Sequence, residues 1–216
     1  MGPSAFSVRG VRMFDRRQVL SGCAAMLAGV VVAGPVRAQG APDAADFVIR
    51  TAQAVGDALG SGDVEGRMLR VIDERLDMEY AARFTLGRYW NALQPPDRAE
   101  YERLFRAYAM QVYRDRFRRY YGGNWDVSRL FRVSGQPRVG ERDIVVPTEL
   151  SPPDGGLIRI EWRLRRAAQA YRVIDLAVEN VSQAFTTRQE FESVITQRGG
   201  NPRAIIQVLR ERTGQS

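Results

Sequence analysis

Few side chains in this sequence could make or break covalent bonds. The 216-residue chain has no histidine, and its one cysteine is Cys23. Histidine and cysteine supply most zinc ligands, the commonest general base near neutral pH and the thiolate nucleophile. Their absence from residues 39–216 argues against a metal hydrolase, a Ser-His-Asp enzyme and a thiol enzyme. Chemistry by carboxylate, tyrosine or arginine side chains stays open.

Two carboxylates in strand-like segments are the candidates for such chemistry, because a buried carboxylate beside a tyrosine could act as a proton-abstracting base. Glu161 alternates with arginines, which favours a solvated ion pair. Asp175 stands at even spacing from Tyr171, Val173 and Ala177, so we expect these residues on one face of a strand. The burial of Asp175 therefore decides whether this chain has a carboxylate that could act as a base.

The densest cluster of charge lies at residues 114–119, where four arginines flank an aspartate and a phenylalanine. A solvated helix face is the favoured interpretation. The alternative is the mouth of a site that meets anionic headgroups or an acidic partner surface.

The first 38 residues have the pattern of a cleavable export signal. Residues 14–38 contain a pair of arginines, an apolar run, a Gly-Pro helix breaker and a candidate cleavage site that ends in the small residue Ala38. This pattern is typical of a secretory signal peptide and is too short for a transmembrane anchor. It predicts export by the Sec or the twin-arginine route and removal after Ala38.

Two further features of this leader bear on its processing. Residues 20–23 spell a lipobox, but they precede the apolar run instead of following it, so we do not expect lipidation. Met1 and Met13 both remain candidate starts.

Loss of residues 1–38 removes five arginines and one aspartate and lowers the formal net charge from +7 to +3. The basic excess belongs mainly to the leader, so we expect no nucleic-acid partner.

Hydrophobic periodicity divides the rest of the chain into helices, then strands, then helices. Apolar residues recur at helical spacing in six segments. In residues 157–165 the spacing changes to two, with Ile158, Ile160, Trp162 and Leu164 alternating with charges. The predicted helices are 46–59, a segment through 68–76, 77–85, 95–121, 182–198 and 202–212. Asp77 can cap the third of them. The predicted strands are 126–133, 142–150, 157–165 and 170–178.

This order predicts an α+β fold in which helices cover a four-stranded twisted antiparallel sheet, because the strands are joined by short turns. Pro147 falls inside a strand and indicates an edge or a bulge. We expect a lead-in at residues 39–45 and a single domain at 46–213. The long helix is rich in Tyr and Phe, which suits either a bulky filled core or the wall of an apolar cavity between helices and sheet.

Four segments in order resemble the MlaC or toluene-tolerance family of periplasmic phospholipid carriers, which includes the HpnM branch found with hopanoid biosynthesis. Residues 83–90 are similar to the family's R-x-x-L-G-x-x-W segment, and the Pro-Asp-Arg opening of the long helix follows at the expected distance. Residues 171–175 resemble its W-K-V-x-D strand, and residues 181–191 resemble its junction of Val-Ser, Arg and Phe. Tyr171 replaces the usual Trp, and Asn180 stands where Gly is common. The resemblance covers nearly all of residues 45–213.

The resemblance implies a soluble periplasmic lipid shuttle. Its fold would be a cone like that of nuclear transport factor 2, with an apolar cavity between sheet and helices. Its cargo would be a phospholipid or a hopanoid-type lipid, and its partners an inner-membrane ABC transporter complex and an outer-membrane lipoprotein complex. No enzymatic activity, cofactor or metal is implied. The apolar side chains of the long helix and the sheet that we expect to bind lipid are Leu86, Trp90, Phe105, Tyr108, Val112, Val146, Ile160, Trp162, Ile174 and Leu176.

Two other functions remain open: a small-molecule enzyme that uses Asp175 and a tyrosine, and a structural adaptor with a fully packed core. At the junction of residues 177–191 we expect Ser182 to cap a helix, Phe191 to face inward and Arg188 to serve as a structural anchor. Asn tolerates unusual backbone angles, so Asn180 suits the turn before that helix. A carrier would need this junction to let the helix move.

Overall fold

The structure, a computed structural model, describes residues 41–118, 126–152, 155–168 and 170–215. The side chains of residues 41, 42, 116 and 117 are excepted. The signal peptide predicted at 1–38 and the predicted end of the long helix near Tyr121 lie outside this part of the chain. The domain boundaries drawn from the sequence stay predictions.

Seven α-helices and one 3-10 helix lie in the described part of the chain. Two of the helix starts confirm predicted caps: the side chain of Asp77 accepts a hydrogen bond from the Tyr80 N–H, and that of Ser182 accepts one from the Phe185 N–H. The helices are α1 (Ala41–Leu59), α2 (Val64–Arg75), α3 (Met78–Leu86), the 3-10 helix (Gly87–Ala92), α4 (Pro95–Phe117), α5 (Val127–Leu130), α6 (Gln183–Gln197) and α7 (Arg203–Thr213).

Six strands form one antiparallel sheet in the described residues, so the prediction of four strands was wrong. The order is β1-β3-β4-β5-β6, with β2 pairing to the same strand as β1. The two missed strands are two residues long, too short to show alternation, and part of the segment predicted as the first strand is helix α5. The strands are β1 (Phe131–Val133), β2 (Arg138–Val139), β3 (Ile144–Leu150), β4 (Ile158–Ala167), β5 (Ala170–Val178) and β6 (Val181–Ser182).

Pro147 lies in β3, which has neighbours on both sides. On one side, however, the neighbour is broken between β1 and β2, and Pro147 faces that break: its carbonyl accepts from the Ser134 N–H at 3.0 Å. A missing N–H therefore costs no ladder hydrogen bond there. Pro147 therefore lies in an inner strand, at a point where that strand has no partner on one side.

A bulge in β5 changes which residues share a face. Val173 lies opposite Leu164 and Asp175 lies opposite Arg163, so the register skips Ile174. Directly opposed residues share a face, and neighbours along a strand point to opposite faces. Asp175 is therefore on the face of exposed Arg163, while Val173 is on the face of buried Leu164, and the expectation that Asp175 and Val173 share a face was wrong.

Most buried apolar residues in the described part of the chain belong to one of two clusters. One, the helical core, joins α3, α4, α6 and α7 around Tyr101, Leu104 and Phe191. The other, the sheet core, joins α1 to β3, β4 and β5 around Val48, Val146 and Leu164. The two clusters share no buried residue, so each layer has a core of its own.

Candidate functional site

A cavity of about 140 Å³ lies where the helical layer meets the sheet. Helices α3, α4 and α6 form its walls on one side, and strand β5 forms the other. It therefore separates parts of the two cores instead of lying inside either one.

The floor of the cavity is apolar. Helix α4 contributes Phe105, Tyr108, Ala109 and Val112, and the last three are only half-buried. Apolar side chains left half-buried beside a cavity face open space, whereas the equivalent side chains of a filled core are almost wholly covered. This part of α4 therefore lines a space, which suits an apolar ligand.

Polar side chains from α6 form the opposite rim, and two of them are satisfied within their own helix. The Thr186 hydroxyl donates to the Ser182 carbonyl at 2.9 Å, and the Thr187 hydroxyl donates to the Gln183 carbonyl at 2.9 Å. Glu190 at the same rim is exposed. Because the threonine hydroxyls already have acceptors, an apolar ligand could lie against them without leaving a donor unpaired.

Asp175 also lines the cavity, but its hydrogen bonds belong to a helix cap. One carboxylate oxygen accepts from the Ser182 hydroxyl at 2.6 Å and the other accepts from the Ala184 N–H at 3.0 Å. Ser182 in turn accepts from the Phe185 N–H at 3.0 Å. Asp175 is half-buried and holds the start of α6 against β5. Glu161, the other candidate carboxylate, pairs with Arg138 at 2.6 Å, as the predicted solvated ion pair.

The turn before α6 is a two-residue hairpin. Glu179 and Asn180 have φ values of 48° and 65°, and Val178 pairs with Val181 across the turn. Two successive residues with positive φ are the requirement of a type I′ turn, which matches the twist of the strands it joins. Asn180 therefore occupies the kind of position that its tolerance of positive φ predicts.

Arg188 anchors α6 to the end of α3. Its guanidinium lies over the Phe84 ring at 5.5 Å from the centroid and close against Gly87, where a Cβ would come within 2.8 Å of it. Phe191, one turn further on, is buried in the helical core. The prediction of a structural anchor and the prediction of an inward-facing phenylalanine are both confirmed.

Five of the ten candidate residues line the cavity, and five do not. Leu86 and Trp90 pack in or against the helical core, and Val146, Ile160 and Trp162 pack in or against the sheet core. Trp162 also donates its indole N–H to the Thr148 hydroxyl at 3.0 Å. The five that line the cavity are Phe105, Tyr108, Val112, Ile174 and Leu176. Lipid contact by any of the ten stays a prediction.

Sequence reasoning missed the contributions of α3, α6 and the α2–α3 junction to this cavity. Leu76 lines it from the α2–α3 junction, Met78 and Ala81 line it from α3, and Tyr113 lines it from α4. Met78 and Ala81 stand three residues apart on the apolar stripe of α3, which was visible in the sequence. Nothing in that spacing indicated that the stripe faces a cavity.

The charged cluster at the end of α4 is solvated where the structure describes it. Arg114, Asp115 and Arg118 are exposed, and Arg114 lies 3.7 Å from Glu65 of α2. Among the described residues, no helix is long and apolar enough to cross a membrane.

Comparison with known proteins places these features in a family. A family model described as MlaC protein matches residues 44–211. One similar solved structure is a phospholipid-binding protein from Ralstonia solanacearum in complex with a phospholipid. It has 21% sequence identity and a TM-score of 0.63, and the match covers 80% of this chain and 97% of that one. No curated protein matches the chain. The fold is thus shared with the Ralstonia protein, and because the family match spans most of the sequence, the chain belongs to the MlaC family.

Proposed function

We propose that this chain is an exported periplasmic carrier that binds a phospholipid in the cavity between α4 and β5. It would move the lipid between an inner-membrane ABC transporter complex and an outer-membrane lipoprotein complex. The observation that carries the proposal is the cavity itself: half-buried apolar side chains of α4 face β5 between two separately packed cores. Membership of the MlaC family and the phospholipid in the Ralstonia structure support the same ligand class.

A lipid needs such a carrier because its chains are poorly soluble in water. Each exposed methylene costs about 0.8 kcal/mol, so a lipid with roughly thirty methylenes would face a cost of about 24 kcal/mol as a free monomer. Covering those methylenes requires an apolar cavity and no bond-making group. The engagement of both Asp175 oxygens in a helix cap favours this role over the enzyme hypothesis. The cavity favours it over an adaptor with a filled core.

Loading would require the cavity to widen. Sites for small organic ligands usually enclose about 300–1,000 Å³, whereas this cavity encloses about 140 Å³. Because the helical layer and the sheet layer have separate cores, they can separate at the cavity without breaking either one. The hairpin at Glu179 and Asn180 is the connection that would accommodate this movement, whereas the α2–α3 junction is fixed to β5 by the bridge between Leu76 and Val173 and would serve as the pivot.

The first test is extraction of the purified protein with organic solvent, followed by mass spectrometry. We expect a co-purifying phospholipid; a hopanoid in its place would assign the alternative cargo. Uptake of labelled phospholipid from vesicles provides the second measurement. A protein that yields no lipid on extraction and takes up none from vesicles would contradict the proposal.

A matched pair of variants connects uptake to the cavity. Val112→Asp places a carboxylate on the apolar floor, and we expect it to lower bound lipid by about tenfold or more because a charge is costly in an apolar site. Val139→Asp makes the same change at an exposed position of β2 and should leave uptake unaltered. Equal uptake by the two variants would indicate that lipid binds elsewhere.

A further inference from the structure

The apolar cavity has no cation among its described lining residues. Its charged side chains are the carboxylates Asp77, Asp175 and Glu190. Asp77 pairs with Arg165 and Asp175 caps α6, whereas Glu190 is exposed at the rim. A phospholipid carries an anionic phosphate next to its chains, and three carboxylates offer that phosphate no favourable contact. A phosphate at the mouth of the cavity would therefore find a cation only just beyond the lining.

Arg212, in the last turn of α7, is a cation in that position. Its guanidinium lies over the Tyr108 ring, 5.5 Å from the centroid, and donates a hydrogen bond to the Tyr108 hydroxyl at 3.3 Å. Tyr108 is half-buried and lines the cavity, whereas Arg212 is exposed. The Tyr108 side chain thus connects the apolar cavity to an exposed guanidinium at its edge.

The guanidinium of Arg212 still has donors to offer a ligand. A guanidinium has five N–H donors, and the hydrogen bond to Tyr108 uses one of those of Arg212. Within the described part of the chain, no carboxylate pairs with Arg212. Two other arginines near the cavity are already engaged: Arg165 pairs with Asp77, and Arg188 anchors α6 to the end of α3. Arg212 is therefore the arginine beside the cavity that suits an anionic ligand.

We infer that Arg212 binds the phosphate of a lipid whose chains lie in the α4–β5 cavity. This inference rests on the proposed function and names the headgroup chemistry of the cargo. Arginine binds phosphate through two parallel N–H donors, and its charge strengthens both hydrogen bonds. The Tyr108 ring supports the apolar part of the lipid between the chains and the phosphate. Arg212 thus makes the carrier selective for phosphate-bearing lipids over lipids with the same chains and no phosphate.

Titration calorimetry on the delipidated protein tests this selectivity. The probes are dioctanoylphosphatidylcholine and dioctanoylglycerol, which have the same chains and differ in the phosphate headgroup, each used below its critical micelle concentration. We expect Arg212→Gln to weaken binding of the phosphatidylcholine by about threefold to fivefold, the size expected of an exposed charge pair, and to leave binding of dioctanoylglycerol unaltered. Arg198→Gln removes the same charge from an exposed position at the end of α6 and should alter neither affinity.

The outcomes separate this inference from the proposed function. Equal weakening of both lipids in Arg212→Gln would show that Arg212 acts through the packing of Tyr108, and it would overturn the inference. An unchanged affinity for phosphatidylcholine would also overturn it. In both cases the proposed function stands, because the wild-type protein still binds lipid. A wild-type protein that binds neither probe would overturn both.

Chemical modification of the wild-type protein gives an independent test. Phenylglyoxal modifies exposed guanidinium groups, and mass spectrometry of the peptides assigns each modified arginine. Arg212 and Arg198 are both exposed, so both should react in the lipid-free protein. We expect saturating dioctanoylphosphatidylcholine to slow the modification of Arg212 by about threefold or more and to leave Arg198 unaltered, whereas dioctanoylglycerol should protect neither. Equal reaction of Arg212 with and without the phosphatidylcholine would contradict the inference.

Discussion

Gly87, between α3 and the 3-10 helix, has a backbone conformation that other residues avoid. Its φ is 56° and its ψ is −128°. A Cβ added there would lie 2.8 Å from Cζ and 2.9 Å from Nε and Nη2 of Arg188, the residue that lies over Phe84. We therefore expect Gly87→Ala to destabilise the protein in two ways: by backbone strain and by displacing the Arg188 guanidinium.

The two costs differ in size. A non-glycine residue held in such a region costs about 1–3 kcal/mol. The guanidinium is the end of a flexible side chain and can move away, so the second cost is limited to its stacking on Phe84, about 0.5–1 kcal/mol. We expect a total loss of about 1.5–4 kcal/mol in the free energy of unfolding.

Urea unfolding followed by tryptophan fluorescence measures this loss in Gly87→Ala, Arg188→Ala and the double variant. Gly199→Ala is the control for strain alone, because Gly199 has a φ of 77° and a Cβ there would meet nothing within 4 Å. With Arg188 already removed, the Gly87→Ala cost should fall toward that of Gly199→Ala, leaving a coupling of about 0.5–1 kcal/mol.

Two results would refute this reasoning. If Gly87→Ala unfolds at the wild-type urea concentration, the backbone at this position carries no strain for alanine. If the losses from Gly87→Ala and Arg188→Ala simply add, the contact between the two residues has no energetic weight, and the anchor of α6 on α3 lies elsewhere.

Three further substitutions test contacts around the site. Asp175→Ala removes the acceptor for two hydrogen bonds at the start of α6 and should cost about 1–2 kcal/mol in urea unfolding. Thr148→Val removes the acceptor of the buried Trp162 indole N–H and should cost about 1–3 kcal/mol in the same assay. The Arg203 guanidinium donates a hydrogen bond to Asp97 and lowers the pKa of that carboxyl. The ionised Asp97 carboxylate therefore stabilises the fold above its unfolded-state pKa of about 4, and this stabilisation is lost as pH falls through the lower folded-state pKa. The stability difference between wild type and Asp97→Asn should therefore shrink in urea titrations below about pH 4.

Each of these has an outcome that contradicts it. Wild-type stability in Asp175→Ala would mean that Ser182 alone suffices as the cap. Wild-type stability in Thr148→Val would mean that the indole N–H finds another acceptor. A difference for Asp97→Asn that stays constant between about pH 7 and pH 3 would show that ionisation of Asp97 is not its source.

Features set by neighbouring residues could be predicted from the sequence. The caps at Asp77 and Ser182 depend on a side chain and an N–H three residues away, and the structure has both. The long alternation in residues 158–164 likewise predicts a strand with one buried face, as found. In these cases the determining contacts lie within a few residues of one another along the chain.

Features set by distant pairing could not be predicted in this way. The bulge at Ile174 depends on the register between β5 and β4, and it moves Asp175 to the face opposite Val173. Even spacing along β5 assigns Asp175 to the wrong face because the bulge interrupts the two-residue period. The position of that bulge depends on the pairing with β4.

The apolar stripe of α4 shows why periodicity could not separate core from cavity. Tyr101 and Leu104, in the first half of α4, are fully buried, whereas Tyr108 and Val112, in the second half, are half-buried beside the cavity. The first half is covered by α7, which is fixed to it by the ion pairs Asp97–Arg203 and Glu100–Arg210. One continuous stripe thus serves as core where α7 lies across it and as cavity wall where it faces β5 and the rim formed by α6. The transition lies near Phe105, which is buried and also lines the cavity, so the residues that follow it on this stripe are where substitutions should alter ligand uptake more than stability.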